Sequence, residues 1–341
     1  MTNPSLTLKS IMSAMKPPVL IVSSMVGRGN YSIGESFLQQ AGADTACYHI
    51  AIEDFLPPSA VAEDLQRYKW ISNNIRPLLY LIYTIPLFYY LKYARERWFF
   101  KTDLKRLEER VQSIGANTII CISHRPSFWM SLLKTRTNLD CALWGVLSEF
   151  GTNLGWRYIF WEAVNGFLSV LPREQLRLTF SSHLLFRQLG LPCRREFFAM
   201  AGYKPDKNNL LVAAGYWGQV GAAGTIKLIE PLLKVFPDLK IHLVCGTNSI
   251  LEERLNRHFS LNEHIRVYGR MDSLAGFMHD CAAIITKPGF STLIEAHAAS
   301  RKIFLLRGMP VAEDHNARHA IGYFSAEWFN LESFKRWYDA Y

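Results

Sequence analysis

The run Ile284-Ile285-Thr286-Lys287-Pro288-Gly289-Phe290-Ser291-Thr292-Leu293-Ile294-Glu295-Ala296 constrains this chain more than any other segment. Apolar, β-branched residues reach a Lys-Pro-Gly turn and helix-forming residues follow, so the segment reads as strand, turn, helix. A strand and a helix joined that tightly belong to an α/β layer. The turn also carries chemistry. A helix N-terminus presents amides with no partner inside the helix, together with the positive end of its dipole, and both attract phosphate. Glu295, one helical turn further in, suits a ribose diol, which donates two hydrogen bonds to a carboxylate. An ordinary strand-turn-helix joint with Ser291 as its cap explains the same residues.

The scheme recurs along the chain. In the second half, Asn209 to Ala214 reads as a strand, Gly215-Tyr216-Trp217-Gly218-Gln219-Val220-Gly221 as a glycine-rich loop and Thr225 to Val235 as a helix. Strands at 240–245, 264–268, 282–286 and 302–306 alternate with helices, and the second of them ends at Gly269-Arg270-Met271. In the first half, Pro18 to Ser24 is a strand running into Met25-Val26-Gly27-Arg28-Gly29-Asn30, with a helix from Tyr31 to Gln40. That loop lacks the third glycine of a dinucleotide fingerprint, and a tight turn alone fits it equally well. Strands at 118–123 and 142–147 lead to His124 and Glu149. Polar residues at the carboxyl ends of parallel strands face the crevice where such folds bind ligands. The first domain reads as ending near Leu189-Gly190-Leu191-Pro192-Cys193, with a polar linker from Gly202 to Asn209. The pattern predicts two α/β domains with a ligand cleft between them.

Composition narrows the partners. A length of 341 residues suits two domains, each able to bury a core. The net charge of +9 favours nucleic acid, anionic membrane or phosphorylated ligands. Without zinc-finger spacing or an RNP-like aromatic motif, nucleic acid is not expected. The six cysteines form no CxxC pair and several lie in apolar runs, the pattern of buried free thiols in a reducing compartment. Residues 1–16 lack an apolar core of signal-peptide length. Leu78 to Leu91 is uncharged and aromatic-rich but interrupted by Pro86, too short to span a bilayer, and a basic cluster from Lys92 to Arg106 follows. An interfacial membrane element and a buried helix pair both fit this stretch.

Taken together, these segments resemble the family of monogalactosyldiacylglycerol synthases and processive diacylglycerol glucosyltransferases, related in turn to the enzyme that makes lipid II of peptidoglycan. Leu20 to Asn30 looks like the family's first-strand loop, and Tyr80 to Tyr93 like its tyrosine-rich membrane and acceptor segment. Gly190 to Phe197 looks like the segment before its linker, and Thr286 to Ala296 with Glu313 to Ala317 like its donor-binding core. The resemblance implies a GT-B fold: two Rossmann-like α/β domains with an interdomain cleft, an acceptor domain at 1–200 carrying a membrane-associating segment at 71–106, and a donor domain at 201–322. A C-terminal helix at 323–341 is expected to cross back onto the first domain.

The resemblance further implies an inverting glycosyltransferase, with a UDP-sugar as donor substrate, a lipid or amphipathic acceptor, and no metal or other cofactor. A cytoplasmic protein held peripherally on the inner face of the membrane, at an anionic surface, is the matching location. Carried over by position, Glu295 binds the donor ribose, and Lys287, Gly289, Phe290, Ser291 and Thr292 line the diphosphate. Arg270 and Met271 hold uracil, Gly215, Trp217 and Gly218 border the phosphates, and Glu313 and Asn316 meet the sugar and phosphate. Gly27, Arg28 and Gly29 form an acceptor or phosphate loop.

Three positions depart from the family. Asn30 stands where the family has the His that serves the acceptor hydroxyl, Phe290 replaces a second glycine, and His315 replaces a second Glu. Asn30 cannot act as a base near neutral pH. The catalytic candidates are therefore Glu149, at the place of a family Thr-Asp pair, and His124, one residue from a His of some plant relatives, beside Asn30 itself. A tailoring transferase acting on a soluble natural product, a catalytically impaired UDP-sugar-binding homologue and a UDP-sugar epimerase are the alternatives.

Overall fold

A computed structural model of the chain describes residues 7–26, 28–42, 45–74, 80–81, 84–99, 103–137, 139–151, 154–176, 182–200, 202–215, 220–309 and 311–341. The chain divides into two compact units, residues 1–194 with 310–315 and residues 195–309 with 316–341.

The first unit is built on one parallel sheet. Its strands are β1 (Val19–Ser23), β2 (Cys47–Ala51), β3 (Thr118–Ile122), β4 (Ala142–Leu147), β5 (Gly166–Ser169) and β6 (Leu185–Gln188), in the order β2-β1-β3-β4-β5-β6. Helices α1 (Leu8–Ser13), α2 (Gly29–Gln40), α3 (Pro58–Asn74), α4 (Pro86–Phe99), α5 (Asp103–Ile114) and α6 (His124–Thr137) accompany it. Every residue of β1 and β3 is buried, as parallel strands covered on both faces require. Pro86 opens α4, where its missing amide costs nothing because first-turn amides have no helical partner.

The second unit repeats the plan with β7 (Asp206–Ala213), β8 (Lys240–Val244), β9 (Ile265–Tyr268), β10 (Cys281–Thr286), β11 (Lys302–Leu305) and β12 (Glu327–Trp328). Their order is β12-β11-β10-β7-β8-β9, again all parallel. Its helices are α7 (Ala222–Val235), α8 (Ser249–His258), α9 (Ala275–Asp280), α10 (Phe290–Ala298), α11 (Ala312–Tyr323) and α12 (Leu331–Ala340).

The strand orders locate the ligand positions. In the first unit the chain runs from β1 to β2 on one side, then crosses to β3 on the other. In the second it runs from β7 through β8 to β9, then crosses to β10. Strand order reverses between β1 and β3 and between β7 and β10, and open α/β sheets bind ligands outside the carboxyl ends of such a pair.

Two boundaries differ from the sequence reading. The units divide at Arg194 rather than at 200, because residues 195–200 pack with the second unit: Phe197 is fully buried, His279 meets the Glu196 carbonyl at 2.7 Å and the Ala199 amide donates to the Ala298 carbonyl. The supposed linker from Gly202 to Asn209 already contains the start of β7. The C-terminal helix also goes elsewhere than expected. Phe334 of α12 is fully buried in the second unit's core, its ring 5.3 Å from both Phe236 and Phe304. The Tyr341 hydroxyl donates to the Pro205 carbonyl at 3.1 Å, ahead of β7. The cysteines are free thiols, five of them buried and Cys47 half-buried.

Candidate functional site

The loops at the second unit's reversal point share one property. After β7, helix α7 is capped by Gly221 at φ 72°, and after β10, helix α10 is capped by Gly289, neither with a side-chain cap. Two other helices of this unit close their own ends, while α9 follows Leu274 without a side-chain cap. Asn248 accepts from the Leu251 amide at 3.0 Å to cap α8, and Asn330 with Ser333 forms a capping box on α12. Self-capping fills the anion-attracting end of a helix, and glycine leaves it to an outside acceptor. The two glycine-capped helices follow neighbouring strands, so both point their positive ends at one crevice.

The β10–α10 turn is built for close approach. The Gly289 amide donates to the Lys287 carbonyl at 2.8 Å, so the backbone doubles back within three residues. Ser291 lies inside α10 and is not its cap, which removes the simplest alternative explanation of that residue. Ser291 and Thr292 are half-buried on the first turn. Phe290 fills the position of the family's second glycine with a buried ring. Glu295 is buried although it sits among Leu293, Ile294 and Ala296, where a carboxylate is costly to place.

The remaining donor candidates divide. Gly215 follows β7 with φ 86°, a conformation that favours glycine, so it turns the chain at the reversal point. Trp217 and Gly218 lie outside the described residues. Arg270 and Met271 follow β9, two strands from β7, where Arg270 pairs with Asp272 at 3.3 Å and both stand exposed. Glu313 and Asn316 are buried, three residues apart at the start of α11, on opposite sides of the unit boundary. The Val311 amide before them, at φ 68°, donates to the Asp314 carboxylate at 2.9 Å.

In the first unit the β1 loop and the β3 loop occupy the reversal point together. Arg28 caps α2 in the left-handed region at φ 58°, again without a side-chain cap, and its guanidinium stands over the Tyr31 ring at 5.6 Å. Gly29 and Asn30 form the first turn of α2, and Gly27 lies outside the described residues. Ser123 after β3 is held at φ 83°. Non-glycine residues forced into this region collect at functional sites, where surrounding structure holds the strain. Sequence reading missed Ser123, because no residue-type signal marks a strained serine.

His124 begins α6. Its Nδ1 meets the Tyr93 hydroxyl of α4, and the rings of Tyr89, Tyr93 and Trp156 stand edge-on to it at 6.0, 6.2 and 6.5 Å. Burial pushes its imidazole down to about 3, with Lys92 and Arg125 adding to the effect. It is therefore neutral and a weak base at ordinary pH, unlike a general base poised near 7. Glu149 is half-buried two residues past the end of β4, the strand beside β3. No group of three or more His, Cys, Asp or Glu able to hold a metal occurs among the described residues.

The depressed imidazole makes stability pH-dependent. Below an ordinary histidine value of 6.5 the unfolded chain takes up a proton that folded His124 refuses until about pH 3. Stability therefore falls as pH drops through that window. In urea titrations, His124→Gln should shrink the loss between about pH 7 and pH 5 by about 1 kcal/mol, allowing for partial exposure. An identical loss in both proteins would place the proton uptake elsewhere.

No family model matches the chain. Among curated proteins, the processive diacylglycerol β-glucosyltransferase of Bacillus cytotoxicus is 25% identical over 316 residues, covering 88% of this chain and 79% of that protein. The enzyme of the same name from Bacillus thuringiensis is 26% identical over 326 residues, with 89% and 79% covered. Among solved structures, Acinetobacter baumannii MurG superposes with a TM-score of 0.52 at 11% identity over 94% of this chain and 89% of its own. A UDP-GlcNAc 2-epimerase from Neisseria meningitidis reaches 0.54 at 10% identity over 93% and 90%. Transferase and epimerase share the fold, so the fold alone does not choose between them. The sequence relatives do, and they agree with the motifs: this chain is a glycosyltransferase of GT-B fold, similar in sequence to the processive diacylglycerol glucosyltransferases.

Proposed function

We propose that the chain transfers a sugar from a UDP-sugar to a hydroxyl of a lipid acceptor, with inversion at the anomeric carbon and no metal. The observation that carries this reading is the pair of glycine-capped helices after β7 and β10, with Glu295 buried one turn into the second. Charge growing on the departing diphosphate is met by the amides of both helix ends, which need no rearrangement as the bond breaks. Lys287, Ser291 and Thr292 add polar groups beside it, and Glu295 takes the ribose diol. Arg270, Met271, Glu313 and Asn316 complete the donor set as the resemblance implies.

The acceptor side rests on the first unit. Glu149 is the stronger candidate to take the acceptor proton, because His124 is held neutral and weakly basic. Asn30 then orients the hydroxyl without accepting its proton. Helix α4 supports a lipid acceptor. Tyr89 and Tyr93 are 5% and 3% exposed, whereas Leu87, Tyr90 and Leu91 on the other faces are 57%, 58% and 53% exposed beside exposed Lys92 and Arg97. Rings and leucines beside cations fit an anionic bilayer surface, and among the described residues no helix is long and apolar enough to cross one. Helix α4 thus has one face packed and the other outward.

The test is incubation with a panel of UDP-sugars and a bacterial lipid extract, followed by mass spectrometry. The expected result is a lipid heavier by one or more sugars, with release of UDP. Flotation with anionic vesicles separates a lipid acceptor from a soluble one. UDP binding without transfer to any acceptor would overturn the reading.

A further inference from the structure

A buried chain of ionic groups in the first unit takes no part in the chemistry proposed above. Glu53, in the short helical turn after β2, accepts from the Ser24 hydroxyl at 2.6 Å and from the Met25 amide at 2.8 Å. Its Oε1 also meets Arg125 Nη1 at 3.4 Å. The other end nitrogen of the same guanidinium, Nη2, meets Glu96 Oε1 of α4 at 3.3 Å. Trp129, one turn beyond Arg125 on α6, donates its indole N–H to Glu96 Oε2 at 3.0 Å. All of these side chains are buried.

We infer that Arg125 is a positioning residue that ties the β1–α2 loop to helix α4, so that the two acceptor-side segments are held in one fixed arrangement. Replacing a buried ion pair by packed apolar side chains is commonly neutral or stabilising, so stability alone does not account for two carboxylates around one guanidinium. Direction does. The guanidinium fork holds its donors in a fixed plane and reaches both carboxylates at once, which a lysine ammonium on a flexible stem cannot do. What the bridge grips is specific. On one side Ser24 and Met25 lead directly into the Arg28–Asn30 turn. On the other, Glu96 lies three residues beyond Tyr93, whose hydroxyl meets His124. Helix α4 is therefore pinned to the start of α6 at two successive turns, and Arg125 carries the second pin across to the glycine loop.

The kinetic consequence rests on the transferase reading; the mechanical one does not. Hydrogen exchange followed by mass spectrometry on the full chain, as wild type, Arg125→Lys and Trp129→Phe, decides the mechanical one. In Arg125→Lys, exchange should rise about tenfold in both Ser24–Val26 and α4, with the second unit and its UDP affinity unchanged. In Trp129→Phe, α4 alone should loosen. Acceptor KM in Arg125→Lys should rise about tenfold while donor KM stays within about twofold. Unchanged exchange, or loosening of one segment alone in Arg125→Lys, overturns the bridge, as does uniform loosening of the whole first unit. If Arg125→Lys does not fold, loosening in Trp129→Phe that is not confined to α4 overturns it. If the wild type transfers no sugar, the functional reading fails, and the exchange pattern still decides the bridge.

Discussion

An aspartate at position 289 should abolish donor binding while the second unit stays folded. Gly289 sits at φ −71° and ψ 130°, extended backbone that any residue adopts and that N-cap residues prefer. An aspartate there caps α10 itself and gains a few tenths of a kcal/mol over glycine. The same carboxylate stands where the diphosphate should lie. Two unit charges 4 Å apart repel by about 4 kcal/mol at an effective dielectric near 20, which corresponds to a loss of roughly a thousandfold in affinity. Calorimetry with UDP and a thermal melt read both effects. The expected signature is an unchanged or slightly higher melting temperature with no measurable UDP binding. A dissociation constant within about twofold of wild type would remove the phosphate from this helix end.

The second large effect is expected from Glu295→Ala. Hydrogen bonds to a charged acceptor contribute about 1.5–3 kcal/mol, so losing those to the ribose diol should weaken UDP roughly 10- to 100-fold. A UDP analogue lacking both ribose hydroxyls supplies the control. Wild type and variant should bind that analogue equally, since the group Glu295 grips is then missing from the ligand. A variant that weakens both nucleotides alike would show that Glu295 holds the pocket's shape and not the sugar.

Much of this fold is legible because parallel strands covered on both faces need unbroken apolar runs. Val19–Ser23, Thr118–Ile122 and Cys281–Thr286 carry such runs, and the strands stand where the runs do. Gly166–Ser169 and Leu185–Gln188 were not read. The first is four residues long with a glycine, and the second is a partly exposed edge strand carrying Arg187. The pairing of β5 with β4 and of β6 with β5 is a tertiary fact without a local signal. The β10–α10 turn is legible for the opposite reason. Lys287-Pro288-Gly289 is turn chemistry written in residue types, and Glu295 follows at helical spacing. The ionic bridge was not, because Ser24, Glu53, Glu96, Arg125 and Trp129 are scattered over a hundred residues and meet only after folding. The C-terminal helix was placed on the wrong unit because its aromatic residues signal burial without naming the partner.

The outward row on α4 has a practical consequence. Leu87, Phe88, Tyr90 and Leu91 are large apolar side chains exposed to water along it. A patch of this kind on a protein released into dilute buffer promotes clumping, because each molecule offers its neighbours an uncovered greasy side. Purification in mild detergent or with added vesicles is the handling that this helix calls for.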